Sequence, residues 1–197
     1  MIFVTGATGL VGSHVILKLA QQKKSFKALK RSSSSLVICR KIFQYYNVEK
    51  LFEEINWIDG DLNDISSLEY GMKGCDLLVH CAAIVSFSSS DIEDLKKVNI
   101  EGTSNLMNVA LSLGIKKVGY VSSVASLGRN TTDKIVDEQC FFIATKNESN
   151  YSLSKYFSEQ EVWRASAEGL DVVIINPSII LGPGDWDKGS SQIFQKI

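Results

Sequence analysis

Tyr151 and Lys155 stand four residues apart in "NYSLSK", a stretch that reads as the start of a helix after a polar loop. At that spacing one side chain lies above the other on a single helical face. An ammonium held beside a phenol favours the phenolate, so the pair can pass a proton near neutral pH although a free tyrosine titrates near ~10. The same two residues also describe an ordinary solvated face, so the reading depends on what accompanies them. Near the amino terminus, "TGATGLVG" places Gly6, Gly9 and Gly12 at intervals of three, between an apolar opening run and a helical pattern that begins near Leu10. Glycines in that context allow a tight turn and a close backbone approach to a pyrophosphate, with helix amides pointing at the anion.

The elements that must carry these groups alternate along the chain. Apolar runs "MIFVT", "SFKALK", "INWI", "DLLVHCAA", "KKVGYVSS" and "LDVVIINP" read as strands. Helical patterns are predicted over 10–22, 40–54, 64–72, 92–113 and 151–168. This order predicts an α/β fold, a Rossmann-type doubly wound parallel sheet with helices on both faces and ligands beyond the carboxyl ends of its strands. The whole of 1–197 is expected to form one NAD(P)-binding domain. "RSSSS" at 31–35 reads as a loop rather than an interdomain linker.

Composition narrows the function further. The 197 residues are 45% hydrophobic and 22% charged, and 21 Lys and Arg against 22 Asp and Glu leave a net charge of -1. That balance gives no general attraction to nucleic acid or to an anionic membrane, so an anionic ligand must be held locally. Cys39, Cys75, Cys81 and Cys140 have no C-x-x-C spacing and the chain has only two histidines, His14 and His80. Reduced thiols and no metal site are expected. Met1 leads directly into "IFVTG" and no apolar run reaches the length of a membrane span, so the expected compartment is the cytoplasm. Sequons at Asn130, Asn147 and Asn150 carry little meaning there.

The second strand bears on the nucleotide. A ribose 2'-hydroxyl is commonly held by an acid about 20 residues past the glycines, but this strand ends "ALKRSSSS", with Lys30, Arg31 and Ser32 in that place. A 2'-phosphate suits those residues better, so NADP is expected, with NAD possible. After the third strand, "DGDL" offers Asp61 and Leu62 to the adenine edge, or forms a plain turn.

Taken together, these motifs resemble the extended short-chain dehydrogenase/reductase family, which contains nucleotide-sugar epimerases and dehydratases and dihydroflavonol-reductase-like enzymes. The resemblance runs the whole length, through "TGATGLVG", "DGDL", "HCAA", "VNIEGT", "YVSSVASLG", "YSLSK" and "NPSIILGPGD". It implies an NAD(P)-dependent oxidoreductase or epimerase that transfers hydride at a carbonyl or hydroxyl carbon of a small molecule or nucleotide sugar. A dinucleotide-binding sensor or scaffold without catalysis is the alternative.

The resemblance also assigns roles. Tyr151 is the acid/base, Lys155 lowers its pKa and bonds the nicotinamide ribose, and Ser123 holds the substrate oxygen. Ser122 is the neighbouring candidate, but strand alternation lets only one of the two reach the site. Cofactor contacts are expected from Gly6, Thr8, Gly9, Leu10 and Gly12 of the turn, from Arg31, Asp61 and Leu62, and from Ala82 and Ala83 at the fourth strand's end. Asn99 is expected mainly to brace the fold beside the cofactor, or as a mid-helix Asn to bond a neighbouring backbone group. Pro177, Ile179 and Ile180 are expected at the nicotinamide carboxamide. His80 is expected as a satisfied core histidine rather than a catalyst. Family members continue past the position of Ile197 into a lobe that closes over the substrate, so the chain is expected to be a fragment. Helices 92–113 and 151–168 are the expected surface of a possible homodimer.

Overall fold

The structure, a computed structural model, describes residues 1–128, 135–144 and 148–186. Six strands lie in one parallel sheet: β1 (Ile2–Thr5), β2 (Phe26–Lys30), β3 (Asn56–Asp59), β4 (Leu77–His80), β5 (Lys117–Val121) and β6 (Asp171–Ile175), in the spatial order β3-β2-β1-β4-β5-β6. The order reverses between β1 and β4, which opens a crevice beyond their carboxyl ends. Thr5 pairs with His80 at that edge, so the glycine turn and the β4 exit start side by side.

Helices cover both faces. One core packs Phe3, Leu78, Val118 and Tyr120 against α4 (Ile65–Met72), α6 (Gly102–Ser112) and α7 (Asn150–Ala167). The other packs Val4 and Ala28 against α1 (Leu10–Gln21), α2 (Val37–Tyr45) and α3 (Glu49–Glu53). Phe3 and Val4 are adjacent and both fully buried, as a central parallel strand requires. Burying each such side chain contributes about 1.5–3 kcal/mol.

Two helical expectations need correction. The pattern over 40–54 is two helices, because Asn47 adopts a left-handed backbone at φ 58° and ends the run between Tyr45 and Glu49; Asn tolerates that conformation better than most residues. The pattern over 92–113 is helical but not uniform: α5 (Ile92–Leu95) passes through a π-turn at Lys96–Glu101 before α6. Such turns insert one residue and are frequent at functional sites.

Among the described residues no helix is long and apolar enough to cross a membrane, and no group of three or more His, Cys, Asp or Glu could hold a metal ion. Sequon residues Asn130 and Asn147 lie outside the described residues; Asn150 opens α7. All four cysteines are free thiols.

Candidate active site

The glycine turn is shaped by its neighbours. Gly6 has φ 68°, and a Cβ there would fall 2.5 Å from the backbone nitrogen of Ala82, so the turn lies directly against the β4 exit. A Cβ on Gly12 would fall 2.1 Å from the Gly6 carbonyl oxygen; its absence lets α1 start against the turn. Gly9 differs, since a Cβ there would meet only the Gly6 oxygen at 3.4 Å, an ordinary contact. Packing therefore does not explain Gly9. It caps α1 without a side-chain bond, and the first turn of α1 has no acidic residue. These are the features of an anion seat made from backbone amides, and a dinucleotide pyrophosphate fits it. Thr8 and Leu10 flank Gly9 in the same turn.

The other expected cofactor residues divide. Arg31 is exposed just past β2; its carbonyl accepts from the Ser34 amide at 2.9 Å, but its side chain has no hydrogen bond or ion pair among the described residues, whereas its neighbour Lys30 is paired with Asp59 of β3. Asp61 accepts from the Asn63 amide at 2.9 Å in its own loop. Leu62 is buried in the core, its side chain against Gly102. Ala82 packs behind Gly6, with Ala83 next to it. Asn99 is buried in the π-turn, where it accepts from the Ile84 amide at 2.8 Å and donates to the Ile84 carbonyl at 2.9 Å and to Ser154 Oγ at 3.0 Å. It thus fastens the loop after β4 to α7. Ile179 is exposed, and Ile180 borders an open groove of about 440 Å³ over Leu10 and His14 of α1.

Helix α7 sets out the reacting groups. Ser149 caps it by accepting from the Ser152 amide at 3.0 Å, which puts Tyr151 in the first turn and Lys155 in the second. The buried stripe of α7 is polar at its amino-terminal half, with Ser152, Lys155, Ser158 and Glu159, and turns apolar at Val162 and Ala165. A polar stripe facing a sheet is costly unless every group is bonded. Among the described residues no buried side-chain nitrogen or oxygen lacks a partner.

Strand β5 supplies the partners by alternation. Tyr120 and Ser122 both face α7: Tyr120 Oη bonds Ser158 Oγ at 2.7 Å, and Ser122 Oγ donates to Glu159. Ser123 turns the other way, caps the short turn Val124–Ser126 and lies near enough to the Tyr151 phenol to favour its ionised form. Burial raises the pKa of Tyr151 and Ser123 opposes it. Phe87 packs edge-on against the Tyr151 ring at 5.5 Å between centroids.

Lys155 differs from expectation. It is 1% exposed and donates to Tyr120 Oη at 2.7 Å and to the Val121 carbonyl at 3.1 Å; it does not bring the resting Tyr151 phenol below its ordinary pKa, which burial raises. The four-residue spacing aligns the Cβ atoms, but the long lysine chain extends to β5, where two acceptors satisfy it. Burial lowers the Lys155 pKa to about 8, opposed chiefly by the charge of Glu159. His80 is fully buried between Thr5 Oγ1 at 2.7 Å and Thr103 Oγ1 at 3.0 Å, and burial holds it neutral, with its pKa lowered to about 3. It is a structural histidine.

Tyr120, Ser158, Glu159 and Asn176 were not legible as site residues. The one sequence signal was the continuation of the Tyr151, Lys155 spacing by four more residues to Glu159.

A parallel sheet in this order, with a glycine turn at its switch point and a Ser, Tyr and Lys group beyond β5, defines a dinucleotide-binding chain of the short-chain dehydrogenase/reductase class. Residues 2–197 match the NAD dependent epimerase/dehydratase family, and the chain belongs to it. It is 38% identical over 185 residues to a putative dihydroflavonol 4-reductase of Synechocystis sp., covering 94% of this chain and 50% of that protein. Identity to cinnamoyl-CoA reductase 1 of Petunia hybrida is 28% over 190 residues, covering 93% of this chain and 55% of the relative. The crystal structure of gox2253 superposes with a TM-score of 0.81 at 35% identity, covering 98% of this chain and 56% of that one. The chain therefore spans about half the length of the relatives it matches.

Proposed function

We propose that this chain is the cofactor-binding and proton-transferring part of an NADP(H)-dependent reductase or epimerase acting on a carbonyl or hydroxyl carbon of a small molecule or nucleotide sugar. The single observation that carries the reading is the glycine turn at the sheet's switch point, whose Gly9 no packing contact requires; Ser123 after β5, Tyr151 on α7 and the buried Lys155 support it. Its 1–197 span is read as one NAD(P)-binding domain.

A reduced nicotinamide, when bound, supplies a hydride to the substrate carbon. The chain's own residues do the rest. Amides at the start of α1 bind the pyrophosphate, with Gly6, Thr8, Gly9, Leu10 and Gly12 around it. Ser123 orients the substrate oxygen. Tyr151, kept protonated by burial, donates its proton to that oxygen, and the ammonium of Lys155 stabilises the phenolate left behind. Pro177, Ile179 and Ile180 are assigned to the nicotinamide carboxamide by the family resemblance alone. The test is an assay of the complete gene's protein with NADPH against aldehydes, ketones and nucleotide sugars. Turnover of a carbonyl substrate supports the reading; NADPH binding without turnover of any of them favours the non-catalytic sensor.

Cofactor choice is assigned to Arg31, because Lys30 is committed to Asp59 while the Arg31 side chain is unpaired among the described residues. Arg31→Asp is expected to weaken NADPH at least tenfold and NADH by less than threefold, since a charge-assisted phosphate contact becomes a repulsion. Titration of both nucleotides by fluorescence measures this, and equal losses would remove Arg31 from the phosphate site.

For assembly, the exposed Phe157 and Trp163 of α7 support pairing of two chains through α6 and α7. Sedimentation is expected to give a dimer that Phe157→Glu dissociates; a monomer in the unsubstituted protein would refute the pairing.

A further inference from the structure

Glu159 is buried, one turn past Lys155 on α7, and it gathers more bonds than any helix-surface carboxylate needs. One carboxylate oxygen accepts from Ser122 Oγ, from Ser126 Oγ at 2.7 Å and from Asn176 Nδ2 at 2.9 Å; the other accepts from Trp163 Nε1 at 3.3 Å. Those donors come from the exit of β5, the short turn after it, the exit of β6 and α7 itself. Asn176 also donates to the Ser123 carbonyl at 3.2 Å, and the Val124 amide donates to the Pro177 carbonyl at 3.0 Å. The backbone that presents Ser123 is thus held from both sides through one carboxylate.

We propose that Glu159 is a positioning residue for the Ser123, Tyr151 and Lys155 group: its carboxylate locks the ends of β5 and β6 to α7 and sets a negative charge one helical turn from Lys155. This rests on the reading of Tyr151 and Lys155 as the proton-transfer pair. The charge argument follows from an inventory of what faces Lys155. From β4 and its exit come His80, which is neutral, and Cys81, whose thiol burial pushes up to about 12. From β5 comes the Tyr120 phenol, which burial also keeps neutral. From α7 comes Glu159; Tyr151, one turn before Lys155 on the same helix, is likewise raised by burial. Glu159 is the one carboxylate among these groups. Burial favours the neutral amine, and Glu159 opposes it. An uncharged Lys155 would leave the developing phenolate of Tyr151 without a countercharge.

Lys155 can be titrated directly through its 13Cε resonance in lysine-labelled protein, the peak assigned by its disappearance in Lys155→Met, with the pH profile of hydride transfer followed in parallel. Glu159→Gln keeps the size of the side chain and one acceptor but removes the charge. It is expected to move the Lys155 titration to lower pH by about one pH unit, a tenfold loss of proton affinity, and to move the basic limb of the kcat profile with it. Glu159→Asp keeps the charge and is expected to stay nearer the unsubstituted protein. A Lys155 titration in Glu159→Gln that coincides with the unsubstituted protein overturns the proposal, even when the variant melts earlier. Should Glu159→Gln fail to fold, the 13Cδ shift of Glu159 in the unsubstituted protein at pH 7 decides: a carboxylate shift supports the proposal and a carboxylic-acid shift overturns it. The titration needs neither cofactor nor substrate, so failure of the enzymatic reading, seen as absent turnover, is distinguishable from failure here.

Discussion

Tyr151→Phe is expected to lower kcat for hydride transfer by about 10²–10⁴, the range supplied by a positioned general acid, while leaving NADPH affinity within about twofold. The substitution removes one hydroxyl and keeps the ring, including its edge-on packing with Phe87. It strands no buried donor in the core, because the hydroxyl's neighbour is Ser123, which accepts from the Ala125 amide at 3.1 Å. Folding and cofactor binding should persist. Stopped-flow loss of NADPH absorbance measures the first quantity and fluorescence titration the second. Turnover that survives in Tyr151→Phe would assign the proton to another group and reduce Tyr151 to packing.

The second large effect separates two glycines three residues apart. Gly12→Ala puts a methyl group 2.1 Å from the Gly6 carbonyl oxygen, where both partners are backbone and neither can rotate away. The cost is on the order of 3 kcal/mol, or roughly 6–12 °C in Tm for a domain of this size. Gly9→Ala meets that oxygen at 3.4 Å from a backbone at φ -84°, so its stability cost is expected to stay below about 1 kcal/mol. Its effect appears in binding, because the methyl group stands where the pyrophosphate approaches, and NADPH affinity should fall at least tenfold. Thermal melts and nucleotide titrations on the two variants give opposite patterns in this account. A Gly9→Ala protein that binds NADPH normally would show that the seat at α1 is not used.

Much of this was legible in the chain, for identifiable reasons. The alternation of β-rich runs with helical patterns fixed a parallel sheet, since strands buried on both faces read as continuous apolar segments and crossovers need helices between them. Boundaries fell close to the observed elements where a cap marked them, as Asp64 does for α4 and Ser149 for α7. The π-turn at Lys96–Glu101 was invisible because nothing in "KKVNIE" departs from an ordinary helical pattern; it is defined by what Asn99 reaches across to bind. The break at Asn47 had a local signal, an Asn in a helical run, that periodicity outweighed.

The site was legible unevenly. Tyr151, Lys155 and Ser123 came from spacing and family resemblance, and the structure brings Ser123 to Tyr151 and turns Ser122 toward Glu159. The group that supports them stayed hidden. Tyr120 sits in a strand whose apolar character the expected fold already explained, while Ser158 and Glu159 sit on a helix whose buried face is polar, so no hydrophobic stripe pointed inward. Their partners lie far away in sequence, and only folding puts them together. Lys155 shows the same limit: its spacing from Tyr151 was read correctly, but the destination of a four-carbon side chain depends on the acceptors of β5.

The central claim is that a dinucleotide seated on the glycine turn places its nicotinamide end beside Tyr151 and Lys155. A crystal structure of the protein soaked with NADPH tests it most directly. The expected result has the pyrophosphate on the amides at the start of α1 and the nicotinamide ribose within hydrogen-bond reach of Lys155 Nζ, about 2.6–3.2 Å. A nucleotide bound elsewhere, or one whose nicotinamide end points away from Tyr151, would contradict it.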